Sequence, residues 1–348
     1  MPPENPVPPH NRARRAFLKS SLMASAGVLV AASAARAADG NPVPVRITLP
    51  SPGSAGSVWR PLVARLDPAL SSGLDLQWVT ADPGKMQIQL AAGALDVGVF
   101  GAVGLGNLVL RGQDIVLFGP ALNNHGKWLV QNDSPYRKPA DLIGKRIATQ
   151  PETSETYQQA RLAASLAGID LKRDVEVIFG PPTANLALFE RGDVDAVIVL
   201  EPTATRLVAN GVREIARVAD MWKQASGGEE AGSGDPFLVG LAARREWVEN
   251  NRVTATRLAR LFAAANGALR ADTSVLDVIY TEIGFREHER HALPFLKERL
   301  PAAYSTRWDE SVWKVIDRQI DDAVRLGLIA SRPPRPLYDG VRLDGART

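Results

Sequence analysis

The residues best suited to chemistry lie in three turns of small residues, each placed where a predicted strand gives way to a helix. Hydroxyl groups and backbone N–H groups at helix N-termini donate hydrogen bonds and carry partial positive charge, so they are suited to hold a small anion. Serine and threonine also cap helices, and capping alone is the alternative for each of them. The turns are residues 51–57, 101–103 and 149–156, with candidate ligand contacts at Ser54, Ser57, Gly101, Ala102, Ser154 and Thr156.

Other motifs, those typical of cofactor or metal binding, are incomplete in this sequence. Gly101–Gly106 reads GAVGLG, whose glycine spacing differs from the GxGxxG of dinucleotide-binding turns. His288 and His291 could share a helix face, but a metal ion would need a third ligand. The chain has no Cys, which excludes thiolate nucleophiles and Cys-ligated metals. We therefore expect no catalytic residue, no metal site and no cofactor.

Composition and charge are those of a globular protein without a nucleic-acid partner. The chain has 348 residues, 45% of them hydrophobic, a length that favours about two domains. Five of the 41 basic residues and one of the 38 acidic ones lie in residues 1–37, which leaves 36 basic and 37 acidic residues beyond position 37. The positive net charge therefore belongs to the N-terminal segment, and the remainder has no basic excess for nucleic acid.

The first 37 residues have the layout of an export signal. Arg14 and Arg15 precede Phe-Leu-Lys, a mildly apolar stretch follows from Ser20 to Ala35, and the segment ends in Ala-Arg-Ala at Ala37. This order of basic, apolar and small residues predicts a signal peptide cleaved near Ala37, and the arginine pair resembles the twin-arginine export signal. We expect an unanchored protein in the periplasm.

Short β-branched runs alternate with helical patterns through the first two-thirds of the mature chain, which predicts an α/β fold. Helical spacing without intervening strands over Thr254–Leu269, Glu289–Leu300 and Glu310–Leu326 predicts a helical C-terminal segment. The predicted strands are Val45–Leu49, Leu74–Val79, Val97–Phe100, Ile115–Phe118, Trp128–Val130, Arg146–Ala148, Val175–Phe179, Ala196–Leu200 and Phe237–Leu241. The other predicted helices are Val58–Leu70, Met86–Ala92, Glu155–Ala167, Asn185–Arg191 and Thr203–Asn210.

Five segments in order resemble ABC-transporter substrate-binding proteins for nitrate, sulfonate and taurine. They are LAAGALDVGVFGA at 90–102, DLIGKRIA at 141–148, LAGI at 166–169, ALFERGDVDA at 187–196 and the pair Glu201-Pro202. Many members of that family carry an aromatic residue just before the Glu-Pro pair, where this chain has Leu200.

The resemblance implies a type II periplasmic binding protein fold, with two α/β lobes joined by a hinge that the chain crosses twice. Lobe 1 would comprise residues 38–127 and 237–348, and lobe 2 residues 128–236, with crossings near 123–131 and 234–240. Asn123 at the first crossing and Glu201 join the predicted ligand contacts, and Trp59, Trp128 and Trp222 are candidates for the apolar wall.

The resemblance also implies a function. We expect a monomeric periplasmic receptor that binds a small anionic organic solute, an aliphatic sulfonate, taurine or similar, and delivers it to an ABC permease. Two alternatives stay open. One is a sensory or partner-binding receptor, and the other is an enzyme on the same fold, as in the pyrimidine synthases that resemble this family.

Overall fold

The computed structural model describes residues 42–81, 83–225 and 236–343, so the predicted signal peptide lies outside the described residues. The strands are β1 (Val43–Leu49), β2 (Leu74–Thr80), β3 (Gly98–Phe100), β4 (Ile115–Asn123), β5 (Lys127–Val130), β6 (Arg146–Thr149), β7 (Glu176–Phe179), β8 (Ala196–Val199), β9 (Arg213–Arg217) and β10 (Phe237–Arg244). The helices are α1 (Trp59–Val63), α2 (Pro83–Ala91), α3 (Ala102–Leu110), α4 (Glu155–Leu166), α5 (Pro182–Glu190), α6 (Thr203–Ala209), α7 (Val218–Ala225), α8 (Arg245–Asn250), α9 (Arg252–Ala271), α10 (Val275–Ile279), α11 (Leu293–Arg299) and α12 (Glu310–Arg325).

The strands divide between two groups of sheets, and these define two lobes. Lobe 1 contains the parallel pair β1-β2 and the antiparallel sheet β3-β10-β4, and lobe 2 contains the sheet β7-β6-β8-β5-β9. In lobe 2, β6 pairs in parallel with β7 and β8, while β5 runs antiparallel to β8 and β9. The predicted alternation of strands and helices is thus confirmed.

The C-terminal helices complete lobe 1. Every residue of β4 is buried, because α9 covers this strand. Gly119 of β4 permits the close approach, since a Cβ atom at this position would lie 2.9 Å from the Cβ of Ala259. Helix α12 begins where Asp309 caps it, and its Oδ1 accepts from the N–H of Ser311 at 2.9 Å. No helix in the described part of the chain is long and apolar enough to span a bilayer.

The two lobes are connected at buried backbone crossings. The first runs from the end of β4 to the start of β5, and the N–H of Asn124 donates to the carbonyl of Pro236, just before β10, at 2.6 Å. His125 Nδ1 lies 2.7 Å from the carbonyl oxygen of Asn123, to which it donates. Burial lowers the pKa of His125 to about 4, so the ring is neutral near pH 7. The crossing is therefore hydrogen-bonded without a charge.

Several predicted elements differ from the structure, among them one helix and one strand. The helix predicted over Val58–Leu70 ends at Val63, and Asp67 accepts from the N–H of Ala69 at 2.9 Å to begin a separate 3-10 turn. Strand β9 was not predicted, because charged Arg213, Glu214 and Arg217 hide its short apolar pattern. Such charges are ordinary at the edge of a sheet, where they discourage pairing with another chain.

Candidate functional site

A cleft of about 370 Å³ lies between the two lobes, within the size range of small-molecule sites. Lobe 1 contributes Thr48, Pro50, Ser51, Pro52, Ser54, Gly56, Trp59, Ala81, Met86, Gln87, Val99, Phe100, Leu122, Leu238 and Val239. Lobe 2 contributes Gln150, Thr153, Ser154, Glu155, Thr156, Pro181, Pro182, Thr183 and Leu200. Most of these side chains are apolar, so the cleft is suited to an organic group.

The apolar wall is built around Trp59 at the start of α1. Its indole packs against Phe262 at 5.1 Å between ring centroids, and its Nε1 donates to Asn266 Oδ1 at 3.1 Å. The indole N–H is thus engaged within lobe 1, which leaves the ring as apolar surface. Trp128 and Trp222, the other predicted wall residues, are buried and do not line the cleft.

The predicted serines of lobe 1 hydrogen-bond within their own turn. Ser54 Oγ donates to the carbonyl of Ser51 at 2.7 Å, and Ser57 Oγ donates to the carbonyl of Ser54, also at 2.7 Å. Ser54 lines the cleft, whereas Ser57 does not. Both hydroxyls therefore stabilise the turn that shapes this wall.

The predicted residues of lobe 2 lie at the start of α4, and both line the cleft. Ser154 caps this helix, because its Oγ accepts from the N–H of Tyr157 at 3.3 Å. Thr156 follows in the first turn and is buried. The structure thus brings Ser54, Ser154 and Thr156 to one cleft from opposite lobes.

Gly101 and Ala102 begin α3 but do not line the cleft. A Cβ atom on Gly101 would collide with the Glu155 carboxyl group and with the carbonyl oxygen of Leu238. Glycine at this position therefore makes room for a side chain from the other lobe.

The remaining two predicted contacts do not line the cleft: Asn123 is hydrogen-bonded within lobe 1, and Glu201 connects the two lobes. Asn123 Nδ2 donates to the carbonyl of Ala302 at 3.2 Å. Glu201 is 1% exposed, its Oε2 accepts from the N–H of Thr205 at 2.8 Å, and its Oε1 lies 2.8 Å from an Arg299 nitrogen. The neighbouring Leu200 lines the cleft instead.

Glu155 is a site residue that the sequence reasoning missed. Its Oε1 accepts from the N–H of Gly104 in lobe 1 at 2.8 Å, while its buried Oε2 makes no hydrogen bond within the described residues. Burial raises the pKa of Glu155 to about 7, although the Gly104 hydrogen bond acts in the opposite direction. In sequence, an acidic residue in the first turn of a helix is typical of capping, so it gave no signal of this role.

Two buried oxygen atoms in the cleft lack a hydrogen-bond partner among the described residues. The hydroxyl oxygen of Thr48, a residue that is 1% exposed, is one of these atoms. The other is Oε2 of Glu155. Glu155 is also the one charged side chain among the described residues that line the cleft. The described lining of the cleft therefore offers hydroxyl and amide groups to a ligand but no cation.

Two lobes with a ligand-sized cleft between them are the arrangement of the periplasmic binding protein fold. The protein resembles the alkanesulfonate-binding protein SsuA from Xanthomonas axonopodis pv. citri bound to MOPS, with a TM-score of 0.64, 21% identity and coverage of 85% of this chain and 96% of that one. This likeness confirms the predicted fold class. A family model described as the NMT1-like family matches residues 84–279, and the chain belongs to that family.

The relatives found by sequence include a solute-binding protein and an enzyme. The taurine-binding periplasmic protein of Escherichia coli (strain K12) is 32% identical over 148 residues, 41% of this chain and 44% of that protein. An ATP phosphoribosyltransferase of Nitratidesulfovibrio vulgaris is 34% identical over 133 residues, 36% of this chain and 41% of that enzyme. The matches thus span less than half the length of either relative.

Proposed function

We propose that the protein is the solute receptor of an ABC importer, which captures a small organic solute and presents it to a permease. The observation that carries this proposal is the cleft itself, a largely apolar space walled by both lobes. A ligand that touches both lobes binds the closed form better than the open one, so binding can drive closure.

Two contacts between the lobes at the edge of the cleft support the proposal that the lobes close on a ligand. Ser54 of lobe 1 and Pro202 of lobe 2 form an isolated antiparallel bridge. Thr203 Oγ1 of lobe 2 donates to the carbonyl of Gly53 in lobe 1 at 3.2 Å. These are single hydrogen-bonded contacts between lobes, which a hinge motion can form and break at modest cost.

For the solute we propose a sulfonate with an aliphatic or otherwise apolar body, the class named in the taurine-binding relative and the alkanesulfonate-binding structural neighbour. The walls of Trp59, Phe100 and Met86 would bury that body. Micromolar affinity requires about 8 kcal/mol. Burial of about 100 Å² of apolar surface supplies roughly 2.5 kcal/mol, so hydrogen bonds and charge must supply the larger part.

The predicted export signal is a feature that the proposed receptor role requires. A receptor for an importer must meet its solute outside the cytoplasm, and residues 1–37 have the layout that export would need. We propose a monomeric periplasmic protein, with the solute and the permease as its partners.

A thermal-shift screen of the purified protein tests the proposal. The panel contains taurine, alkanesulfonates, aromatic carboxylates and pyrimidines. A ligand at a hundredfold excess over its Kd stabilises the folded state by about 2.7 kcal/mol. The proposal requires that at least one member shifts the melting temperature in this way; a panel without any shift contradicts the receptor role for these classes.

The enzyme alternative is tested by incubating the protein with its ligand and determining whether the ligand has changed chemically. Within the described residues, the cleft presents one carboxyl group, Glu155, without a nucleophile and base in contact. The receptor proposal requires that prolonged incubation returns the ligand chemically intact. Detection of a product by mass spectrometry would favour catalysis instead.

A further inference from the structure

A second groove, of about 360 Å³, lies beside the cleft where α3 of lobe 1 faces α4 of lobe 2. Gln87 and Thr153 line both spaces, so the groove and the cleft are neighbours. The groove is therefore also formed by both lobes, and closure changes its shape together with that of the cleft.

Cationic side chains line the groove, whereas none lines the cleft among the described residues. Arg111 follows α3, Arg161 lies on α4, and Lys172 comes from lobe 2. Glu152, the carboxylate in the lining, forms an ion pair with Lys172. Arg111 and Arg161 have no carboxylate partner among the described residues, and the buried Nε of Arg161 has no hydrogen-bond partner there either.

The amide nitrogens of two neighbouring side chains bind backbone carbonyls, and Oε1 of Gln158 has no hydrogen-bond partner among the described residues. Gln158 Nε2 donates to the carbonyl of Glu152 at 2.6 Å, and Asn107 Nδ2 donates to the carbonyl of Val103 at 3.3 Å. Two unpaired guanidinium groups from opposite lobes repel each other when the lobes close. An anion between them attracts both groups and outweighs this repulsion. The planar guanidinium group can donate two parallel hydrogen bonds to the oxygens of a sulfonate, carboxylate or phosphate.

We propose that the groove holds the anionic group of the solute whose apolar body occupies the cleft, with Arg111 and Arg161 as its contacts from the two lobes. This inference rests on the proposed receptor function and adds the position of the charged group. Among the described residues, the groove is lined by Arg111, Arg161 and Lys172, whereas no cation lines the cleft. The charged group of the solute is therefore more stable in the groove than in the cleft.

The test compares one anionic probe with its neutral counterpart by titration calorimetry. Hexane-1-sulfonate and hexan-1-ol share the apolar chain, and only the first carries charge. Wild-type protein should bind the sulfonate at least tenfold more tightly than the alcohol, and higher NaCl concentration should weaken only the sulfonate. Equal affinities for the two probes overturn the groove proposal, whereas the receptor proposal fails separately, on the full solute panel.

Three glutamine variants locate the anion. Arg161→Gln and Arg111→Gln should each weaken hexane-1-sulfonate binding at least tenfold and change hexan-1-ol binding less than twofold. Arg60→Gln removes an exposed arginine outside both spaces and should leave both affinities within twofold. Melting temperatures of all variants check folding. Unchanged sulfonate affinity in both groove variants, with folding intact, overturns the proposal.

Discussion

The carboxylate of Glu155 in lobe 2 accepts a hydrogen bond from the backbone N–H of Gly104 in lobe 1, with 2.8 Å between oxygen and nitrogen. The contact fixes the first turn of α4 against the first turn of α3. It also places an ionisable group with a raised pKa at the boundary of the lobes. The stability of the protein should therefore depend on the protonation of this one side chain.

Glu155→Gln should reduce the loss of stability between about pH 5 and pH 8. The folded-state pKa is about 7, above the ordinary value of 4.5, so the folded state holds the proton more tightly than the unfolded state. This contribution to stability is fully present below pH 4.5 and is lost as the pH rises through 7. The shift corresponds to at most about 3 kcal/mol. Urea denaturation of wild type and variant across this range measures it, with the exposed Glu176→Gln as control; parallel curves for all three proteins would contradict the assignment.

Gly101→Ala should destabilise the protein by about 1–3 kcal/mol, because the added methyl group collides with the Glu155 carboxyl group and the Leu238 carbonyl oxygen. Gly267→Ala, inside α9, is the matched control. Its new Cβ atom would lie 3.8 Å from the nearest atom, and alanine favours a helix over glycine by up to about 1 kcal/mol. Thermal unfolding should therefore give shifts of opposite sign, and a tolerated Gly101→Ala would show that the lobes do not meet there.

Arg299→Met should cost about 3–5 kcal/mol of stability. Arg299 lies 2.8 Å from Glu201 and 2.7 Å from Glu214, and its loss leaves the buried Glu201 carboxylate without its cation. Arg290→Met breaks an exposed pair with Glu287 and should cost much less, because solvent screens the two charges. Denaturant titration of both variants distinguishes the two costs; equal, small effects would mean that Glu201 is solvated.

Thr156→Val should weaken ligand binding by about 0.5–1.5 kcal/mol, because it removes a hydroxyl group from the cleft and retains the shape. Ser57→Ala should leave Kd unchanged and lower the stability instead, since that hydroxyl donates to the carbonyl of Ser54 outside the lining. Calorimetric Kd and melting temperature together separate the two effects. The assignment of Thr156 to the site fails if its variant changes only the melting temperature.

Replacing Arg14 and Arg15 with Lys should leave the precursor in the cytoplasm, because the twin-arginine route reads the arginine pair. Fractionation of expressing cells, followed by immunoblotting, measures this. Appearance of the mature form outside at the wild-type level would contradict the twin-arginine assignment, although a general secretory signal would still account for export.

Much of the fold could be predicted because its signals are local. Strand β4 is a continuous apolar run, and Ser154 at the start of α4 caps the predicted helix. Two turns of the predicted site, at Ser54 and at Ser154, do meet at one cleft. This could be anticipated because helices that follow strands begin at the same edge of a sheet, where ligands bind.

Only the tertiary structure decided which polar residues face the cleft and which hold the lobes together. Glu201 and Glu155 are both acidic residues near strand ends, yet the first pairs with Arg299 outside the cleft and the second lines it. Arg111 and Arg161 are 50 positions apart and meet in one groove only because α3 and α4 pack across the lobe boundary. Hydrophobic periodicity and capping act over a few residues, so the sequence displays them directly. The pairing of charges depends on distances between elements far apart in the chain, which folding alone sets.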